Sequence, residues 1–185
     1  MDKRGIILEK KAVIFDESAI NRAITRISYE IIEKNKGAED LCIIGILTRG
    51  KYLAERIAQK IEENEKTAVS MGFIDITPFR DDNDKNAHPK GETSIPFDIT
   101  GKKVVLIDDV IFTGRSTRAA IDGLMSRGRP HKIELAVLID RGHRELPLRA
   151  DYVGKNVPTS KQEIVKVSLK EVDGEDSVAI LGKVD

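Results

Sequence analysis

The sequence predicts an α/β fold in which a central, mostly parallel sheet is flanked by helices. Apolar runs of strand length alternate with segments whose apolar residues recur at helical spacing, which is typical of parallel strands joined by helical crossovers. Residues 41–47 are apolar without alternation, which suits a strand covered on both faces. We expect a single domain over residues 1–185, because this length is usual for one core.

The first helix is predicted to begin after Asp16 and to end at Gly37. Aspartate is a residue type that caps helix N-termini, and glycine commonly ends a helix. One apolar stripe recurs between them at steps of three and four residues. Its members are Ile20, Ala23, Ile24, Ile27 and Ile31.

The remaining elements continue the alternation of helix and strand. They are a strand at residues 41–47, a helix whose stripe is Leu53, Ile57 and Ile61, a strand at 68–76, a strand at 103–107 that ends on Asp108 and Asp109, a helix carrying residues 120–125, a strand at 132–139, and short strands at 164–169 and 178–181.

Residues 77–100 differ from the rest in composition and are predicted to form a mobile lid. They contain three prolines and a polar stretch at residues 80–86 without helical or strand periodicity. A loop of this length within one domain is usually functional or disordered. We therefore expect it to close over a ligand site.

Charge and cysteine content narrow the class of protein. Lysine plus arginine equals aspartate plus glutamate at 31 each, so bulk charge does not favour a nucleic-acid partner, although residues 127–161 are locally basic. Cys42 is the only cysteine, and we expect it to be a small buried hydrophobe. The sequence shows neither a membrane-length apolar run nor an export signal, so we expect a cytoplasmic protein without a membrane partner.

Polar residues follow three of the predicted strands at their carboxyl ends. The clusters are residues 48–50, the pair Asp108 and Asp109 with the turn that follows, and residues 140–142. In an open parallel sheet the carboxyl ends lie at one edge, where ligands bind. The sequence therefore predicts that the three clusters form one site.

Residues 108–116 combine two carboxylates with the start of a helix. Backbone N–H groups at a helix N-terminus bind anions, Gly114 permits close approach, and Thr113 and Ser116 add hydroxyl donors. The carboxylates can accept hydrogen bonds from sugar hydroxyls or hold Mg²⁺ through water. This favours a ribose phosphate, although phosphatases, ATPases and response regulators also carry such aspartates, and a capped helix after an exposed acidic turn explains them too. Neither a Walker A nor a G-x-G-x-x-G motif is present.

Residues 104–117, VVLIDDVIFTGRST, resemble the phosphoribosyl pyrophosphate motif of type I phosphoribosyltransferases. Segments at 47–50, 75–82 and 141–160 are similar to one subfamily, the bifunctional pyrimidine-operon attenuators and uracil phosphoribosyltransferases of the PyrR family. The resemblance covers residues 11–181, and only the first ten or so residues look like an extension.

The resemblance implies a type I phosphoribosyltransferase fold with three parts. These are a core at residues 11–140, a flexible lid loop within it at 77–100, and a small C-terminal hood at 141–185 that surrounds the base. It also implies a homo-oligomer, either a dimer or a higher assembly.

The resemblance further implies which residues act on phosphoribosyl pyrophosphate and uracil. The catalytic residues are Asp108, Asp109, Arg80 and Arg49, with Arg80 over the pyrophosphate when the lid closes. Mg²⁺ is held mainly by the substrate, with help from the two aspartates. Residues 48–50 form a pyrophosphate loop in which this fold often holds a non-proline cis peptide. The substrate-binding residues are Thr48, Arg49, Gly50, Asp108, Asp109, Val110, Ile111, Phe112, Thr113, Gly114, Arg115, Ser116, Asp140 and Arg141.

The same resemblance implies a site for the leader RNA of the pyrimidine biosynthetic operon. The matching positions are Thr25, Arg26, His143, Arg144, Arg149 and Lys155. Tyr29 stands where relatives often have histidine and Lys34 where many have arginine, so we expect RNA affinity or sequence preference to differ from theirs. With five phenylalanines, three tyrosines and no tryptophan, arginine and lysine contacts are expected rather than an aromatic stacking platform.

The resemblance thus predicts a uridine-nucleotide-dependent RNA-binding regulator that attenuates transcription of the pyrimidine operon. The same protein is expected to convert uracil and phosphoribosyl pyrophosphate into uridine monophosphate (UMP) and pyrophosphate, and to bind UMP or uridine triphosphate (UTP). A purine-type phosphoribosyltransferase without an RNA-binding role stays open, because the residues themselves do not fix the base.

Overall fold

A five-stranded sheet with helices on both faces forms the centre of the computed structural model, which describes residues 8–81 and 91–183. A separate three-stranded sheet accompanies it. The elements, in chain order, are β1 (Leu8–Phe15), α1 (Glu17–Asn35), β2 (Leu41–Ile46), α2 (Arg49–Glu65), β3 (Ser70–Ile74), a 3-10 helix (Thr77–Phe79), β4 (Lys103–Ile111), α3 (Arg115–Met125), β5 (Lys132–Asp140), β6 (Tyr152–Asn156), β7 (Ile164–Ser168), α4 (Lys170–Asp173) and β8 (Ser177–Lys183).

The central sheet has the strand order β3-β2-β4-β5-β6, and every neighbouring pair in it is parallel. The predicted α/β fold with a mostly parallel sheet is therefore confirmed. Because β3 and β4 lie on opposite sides of β2, the strand order reverses next to β2. The crevice at the carboxyl ends of the strands flanking such a reversal is where open α/β sheets bind ligands.

Alternate residues of the central strands bury two apolar layers. Val105 and Ile107 of β4 pack in the layer that contains α1 and α2, whereas Val104 and Leu106 pack in the layer that contains α3. This alternation follows from the two-residue period of a β-strand. Cys42 lies in the second layer at 1% exposure, as predicted. Among the described helices, none is long and apolar enough to cross a membrane.

Helix α1 begins where the sequence predicts, and it ends two residues before Gly37. The Asp16 carboxylate accepts a hydrogen bond from the Ala19 amide at 2.7 Å, which satisfies one N–H group of the first turn. Lys36 and Gly37 both adopt positive φ, at 58° and 105°, and the Gly37 amide donates to the Ile32 carbonyl. Such a left-handed ending satisfies carbonyl groups of the last turn.

A buried polar network attaches the end of α1 to β5 and β6. One oxygen of Glu134 accepts hydrogen bonds from Asn35 and from the Tyr152 hydroxyl, both at 2.9 Å. Lys34 and Lys132 lie 3.3 and 3.0 Å from the other oxygen. Burial acts to raise the pKa of Glu134, but these hydrogen bonds outweigh it and hold the pKa below its usual value. An ionised, buried carboxylate thus joins three elements.

Strand β4 is longer than predicted. The sequence predicts that the strand ends before Asp108 and Asp109, whereas the strand continues to Ile111 and contains both aspartates. Pairing with β2 stops at Ile107, but pairing with β5 continues until Ile111 lies opposite Asp140. The prediction was wrong because the neighbouring strand, rather than local polarity, decides where β4 ends. The two aspartates therefore lie beyond the part of β4 that pairs with β2.

Two strands pair across the expected boundary between core and hood. The three-stranded sheet has the antiparallel order β1-β8-β7, so β1 joins C-terminal strands instead of the core or an extension. Strand β6 belongs to the central sheet, although it lies within residues 141–185. Neither strand was predicted, because β1 is mostly exposed and β6 is interrupted by Gly154. A side-chain carbon at Gly154 would lie 2.3 Å from the Leu138 carbonyl oxygen, so close strand pairing requires glycine there.

The described ends of the predicted lid are attached to the core. Residues Thr77–Phe79 form the 3-10 helix, and Phe73 pairs with Ser94 through two backbone hydrogen bonds of 2.8 and 2.9 Å. Gly72 permits this approach, because a side-chain carbon there would lie 2.7 Å from the Ser94 carbonyl oxygen. The middle of the predicted lid, residues 82–90, lies outside the described residues, so lid closure stays a prediction.

We expect Gly45→Ala to destabilise the fold by about 1–3 kcal/mol, the usual cost of overpacking a close-packed interior. A side-chain carbon at Gly45 would lie 2.4 Å from the Gly50 carbonyl oxygen, and relief of this clash requires α2 to move away from the sheet. Urea denaturation measures the loss. Gly128→Ala is the matched control, because its added carbon would meet side-chain atoms rather than backbone, and the nearest, Thr100 Oγ1 at 2.9 Å, belongs to an exposed residue whose hydroxyl can rotate away. Equal losses for the two variants would contradict this explanation.

Candidate active site

Two helices begin at the crevice, and the N-cap residue of neither makes a side-chain capping hydrogen bond. At the start of the second helix the Arg115 amide makes only a long contact of 3.4 Å with Thr113 Oγ1. Helix α2 begins after β2 with Thr48 as N-cap residue, and α3 begins after β4 with Gly114 as N-cap residue. The first turn of each helix also lacks an acidic residue. Unpaired N–H groups and the helix dipole at such ends attract anions. The crevice therefore offers two anion sites.

The loop between β2 and α2 contains residues 48–50, the predicted pyrophosphate loop. The peptide bond between Leu47 and Thr48 is cis, as the resemblance led us to expect for this loop. Close packing requires a glycine at position 50, which was not predicted from the sequence. A side-chain carbon at Gly50 would lie 2.4 Å from the Ile107 carbonyl oxygen and 3.4 Å from the Asp108 Cα atom. Glycine thus lets the start of α2 lie directly against β4.

The loop between β4 and α3 borders a cavity of about 340 Å³. Gly114 adopts a φ of 93°, which glycine tolerates without steric cost. The Thr113 carbonyl accepts hydrogen bonds from the Glu145 and Leu146 amides at 3.0 and 3.1 Å, so residues after β5 hold the loop. The predicted site residues that line this cavity are Arg80, Asp108, Val110, Ile111, Phe112, Thr113, Gly114, Arg115 and Ser116.

A second cavity, of about 160 Å³, lies on the β2 side of the aspartates. Thr48, Arg49 and Asp109 line it. Asp108 and Ser116 line both cavities. The two anion sites are thus adjacent, with carboxylates between them, which suits a sugar that carries an anionic group on either side.

Asp108 and Asp109 accept hydrogen bonds from the backbone of their own strand. The Asp108 carboxylate accepts from the Asp109 amide at 2.9 Å, and the Asp109 carboxylate accepts from the Val110 amide at 2.8 Å. Burial raises the pKa of the Asp109 carboxyl above its usual value, while Asp108, the Val110 amide and the charge of Arg49 act in the opposite direction. The surroundings of Asp109 therefore disfavour its charge until a hydroxyl donor or a cation arrives.

The start of the predicted lid is attached to α3. Arg80 Nη1 donates to Ser116 Oγ at 3.1 Å. The Asp81 carboxylate accepts hydrogen bonds from Arg115 at 2.7 Å and from Arg118 at 3.4 Å. The structure thus places Arg80 beside the loop between β4 and α3. Its predicted contact with pyrophosphate in a closed state stays a prediction.

Arg49 is paired with a residue that follows β7. Its Nε and Nη2 atoms donate to the two carboxylate oxygens of Asp173 at 3.1 and 2.8 Å. This pairing raises the pKa of the Arg49 guanidinium and lowers the pKa of the Asp173 carboxyl. The two side chains are 30% and 19% exposed, so the ion pair is only partly screened by solvent.

Asp140 and Arg141, two of the predicted substrate-binding residues, lie where the hood expected to surround the base begins, and their side chains bond to other residues of the protein. Arg141 is 7% exposed, donates to the Glu163 carbonyl at 2.8 Å, and lies 4.0 Å from the centre of the Phe112 ring. The Asp140 carboxylate is paired with Arg144. Neither side chain lines the two cavities, so their contact with a base stays a prediction.

Comparison with known proteins identifies the family. The family pattern described as phosphoribosyl transferase domain matches residues 12–171. The Bifunctional protein PyrR of Clostridioides difficile (strain 630) is 60% identical over 174 residues, which cover 92% of this chain and 98% of the relative. The protein of the same name from Listeria monocytogenes serotype 4b (strain CLIP80459) is 58% identical over 181 residues, which cover 95% and 99%. The chain belongs to the PyrR family.

A solved structure supports the fold of this PyrR-family chain. The crystal structure of the hypoxanthine phosphoribosyltransferase of Trypanosoma cruzi matches with a TM-score of 0.71 and covers 95% of this chain and 98% of that chain. Sequence identity is 20%, so the likeness shows the fold alone. The type I phosphoribosyltransferase fold expected from residues 104–117 is confirmed by this likeness and by the family match.

Four of the PyrR-family residues predicted to bind RNA lie on α1 or near the edge strand β6. Arg26 donates to the Val153 and Gly154 carbonyls of β6 at 3.0 and 2.6 Å, which places it beside Lys155. Lys34, one of the two departures from the family pattern, is paired with Asp151 at 2.7 Å just before β6. The four residues are Thr25, Arg26, Arg149 and Lys155.

The other two predicted RNA-binding residues, His143 and Arg144, lie beside the loop between β4 and α3. Arg144 donates to the Phe112 carbonyl at 2.9 Å. The His143 ring is edge-on to the Phe112 ring, with 6.0 Å between their centres. RNA contact by any of the six residues stays a prediction, but both residues contact Phe112 in the loop between β4 and α3.

Three acidic residues that hold the site were not predicted as site residues. Asp173 pairs with Arg49 across 124 positions, and Asp81 and Glu145 pair with Arg115 across 34 and 30 positions. Asp81 lies within the family-like segment 75–82, which is the one signal that could have found it. The other two have no local pattern, because an ion pair between distant segments leaves no periodicity in the sequence.

We expect Asp109→Asn to gain stability relative to wild type as the pH rises. Because the folded state raises the pKa of Asp109, the ionised form costs folding free energy, and this cost grows from about pH 4, the usual aspartate value, up to the folded pKa. Asparagine removes the charge but keeps an oxygen for the Val110 amide. Urea denaturation at several pH values measures the difference, and a wild type that becomes relatively more stable with rising pH contradicts it. The exposed control Asp122→Asn should change stability by less than about 0.5 kcal/mol.

Proposed function

We propose that this chain is a uridine-nucleotide-dependent RNA-binding regulator that attenuates transcription of the pyrimidine biosynthetic operon and also converts uracil and phosphoribosyl pyrophosphate into UMP and pyrophosphate. The main support for the catalytic function is the pair of adjacent helix N-termini whose N-cap residues make no side-chain capping bond, with Asp108 and Asp109 at the cavities beside them. Identity of 58–60% to PyrR proteins supports both halves and the choice of uracil. We place the protein in the cytoplasm as a homo-oligomer, either a dimer or a higher assembly.

The substrate occupies both cavities. Its 5-phosphate lies in the larger cavity, where backbone N–H groups of residues 113–116 and the Ser116 hydroxyl act as donors. Its pyrophosphate lies in the smaller cavity, next to Thr48 and the positive charge of Arg49. The ribose hydroxyls then donate to Asp108, which lines both cavities, and to Asp109, which lines the smaller one. Each part of the substrate thus meets a group of the required charge.

The reaction needs charge stabilisation rather than a protein nucleophile. A ring nitrogen of uracil bonds to the anomeric carbon as the bond from that carbon to the pyrophosphate oxygen breaks, and the ribose becomes oxocarbenium-like. The proton on that nitrogen passes to the leaving pyrophosphate or to water. Asp108 and Asp109 place negative charge beside the developing cation, and Arg49 stabilises the leaving pyrophosphate. These fixed charges act more strongly in a partly buried crevice than in water.

The donor set fits Mg²⁺ held mainly through the substrate. Mg²⁺ commonly binds one or two protein carboxylates and takes phosphate oxygens and water as its other ligands. Asp108 and Asp109 supply two carboxylates at the cavities, while no group of three or more acidic, histidine or cysteine side chains that could hold a metal occurs among residues 8–81 and 91–183. When bound, Mg²⁺ neutralises charge on the pyrophosphate.

The RNA site is proposed to follow α1 and the edge of β6. Arg26 lies beside Lys155, whose ammonium group is 5.4 Å from the centre of the Phe15 ring. We propose that these cations contact RNA phosphates. Such contacts make the affinity for RNA decrease as the salt concentration rises. Because a lysine does not form the bidentate fork of an arginine, Lys34 contributes as a point charge.

A contact at Phe112 supports nucleotide-dependent RNA binding. Phe112 lies in the loop between β4 and α3, which borders the larger cavity. Its carbonyl accepts a hydrogen bond from Arg144, and its ring contacts Arg141 and His143. A nucleotide that fixes this loop therefore acts on both His143 and Arg144 through one residue. Such a shared element gives the coupling between two sites a physical route.

We expect the double variant Asp108→Asn, Asp109→Asn to lose at least about 100-fold in kcat, because both charges that stabilise the ribose cation are removed. Steady-state assays with Mg²⁺ and phosphoribosyl pyrophosphate should compare uracil, guanine and hypoxanthine as acceptors. Asp122→Asn is the control and should keep wild-type turnover, because Asp122 is an exposed carboxylate that pairs with Arg118. Wild-type turnover by the double variant would contradict the assignment of the site. Turnover of guanine or hypoxanthine but not of uracil would contradict the proposed base specificity.

We expect UMP to strengthen binding of pyrimidine-operon leader RNA, and Lys155→Ala to weaken that binding. If Lys155 contacts one phosphate, the slope of log affinity against log salt should decrease by about 0.7–0.9. The matched control is Lys161→Ala, an exposed lysine outside the predicted set. Equal effects of the two variants argue against the proposed RNA surface. The proposed regulatory function is contradicted if the protein binds no leader RNA at moderate salt, either with or without UMP.

A further inference from the structure

The ion pair between Arg49 and Asp173 joins the proposed pyrophosphate site to the segment after β7. Arg49 is the first residue of α2 and lines the smaller cavity, while Asp173 lies in α4 and does not line it. The Asp173 carboxylate is itself oriented by the Leu169 amide, which donates to it at 3.0 Å. Leu169 is fully buried in the core. The carboxylate that holds Arg49 is thus fixed to the core of the protein.

The position of α4 on α2 does not depend on Asp173 alone. Arg56 donates to Glu171 at 2.9 and 2.8 Å and to Asp176 at 2.8 and 2.9 Å, so it forms two bidentate pairs with the same segment. The Asp176 side chain is 3% exposed. These four hydrogen bonds anchor the segment, so a change at Asp173 acts on Arg49 while α4 stays docked.

Asp173 accepts hydrogen bonds from only one edge of the Arg49 guanidinium. It accepts from Nε and from Nη2, whereas Nη1 makes no hydrogen bond within the part of the chain that the structure describes. A guanidinium carries five N–H donors in a planar fork. The edge formed by Nη1 and the second Nη2 proton therefore stays available to an anion while the pair with Asp173 is intact.

We propose that Asp173 is a positioning residue that fixes Arg49 beside the smaller cavity, so that the free edge of the guanidinium binds the pyrophosphate of phosphoribosyl pyrophosphate. This inference rests on the proposed function, because it requires pyrophosphate in that cavity. An arginine that is already held in one orientation loses less side-chain freedom when it binds an anion. Asp173 acts through Arg49 and does not itself touch the substrate.

The test is Asp173→Asn, measured by kinetics and by calorimetric titration with phosphoribosyl pyrophosphate and Mg²⁺. We expect both KM and Kd for phosphoribosyl pyrophosphate to rise about five- to tenfold, as for loss of a charge-assisted hydrogen bond. The KM for uracil should change by less than about twofold, because the base does not meet Arg49. Calorimetric titration with pyrophosphate alone should show the same weakening, without dependence on turnover.

Glu171→Gln is the matched control. It weakens a bidentate pair in the same short helix, but that pair holds Arg56 rather than Arg49. Its effect on thermal stability should resemble that of Asp173→Asn, while its Kd for phosphoribosyl pyrophosphate stays at the wild-type value. A double-mutant cycle completes the comparison, because Asp173→Asn should have little further effect when Arg49→Lys has already removed the fork.

Two results overturn the inference. One is an effect of Asp173→Asn that matches Glu171→Gln or persists in the Arg49→Lys background, since Asp173 would then act only on stability. The other is tighter binding of phosphoribosyl pyrophosphate by Asp173→Asn, since Asp173 would then compete with the substrate for Arg49. A wild type that binds phosphoribosyl pyrophosphate but turns over no base sinks the proposed function, while the titrations still decide the role of Asp173.

Discussion

The contact between the start of α2 and the backbone of β4 determines where the site lies. Gly45 and Gly50 have no side chain at the point of closest approach, so α2 begins directly beside Ile107 and Asp108. The N-terminus of the helix then meets the carboxyl end of a strand that extends four residues beyond its pairing with β2. An anion-binding helix end and two carboxylates are thereby placed at one crevice, and every later step of the proposed chemistry uses that arrangement.

The two anion sites share a second feature, because each helix begins with an arginine that is paired with an acid from residues after β5. Arg49 pairs with Asp173 and Arg115 pairs with Glu145. A positive side chain at a helix N-terminus is unfavourable next to the helix dipole. The distant carboxylates offset that repulsion and hold each guanidinium in place, so the N–H groups of both helix ends stay available to a ligand.

Much of the site can be predicted from the sequence, but the contacts that hold its residues in place cannot. Residues 48–50 and 108–116 were expected to converge, and members of both segments line adjacent cavities. Asp140 and Arg141 were expected with them, but their side chains bond within the protein instead. The first two clusters begin helices, whose open N-termini can be read from local sequence. The environment of the third depends on Phe112 and on residues after β6, which only folding brings near.

The sequence by itself determined the three long helices α1, α2 and α3, the alternating layers of the sheet, the cap at Asp16 and the phosphate-binding motif, because each depends on residues within one or two turns or along one strand. Only the tertiary structure decided where β4 ends, that β1 pairs with β8, that β6 joins the central sheet, and that Asp173 holds Arg49. These features depend on contacts between segments far apart in the chain. The local composition does not indicate such partners, because strand pairing is determined by the packing of the whole sheet.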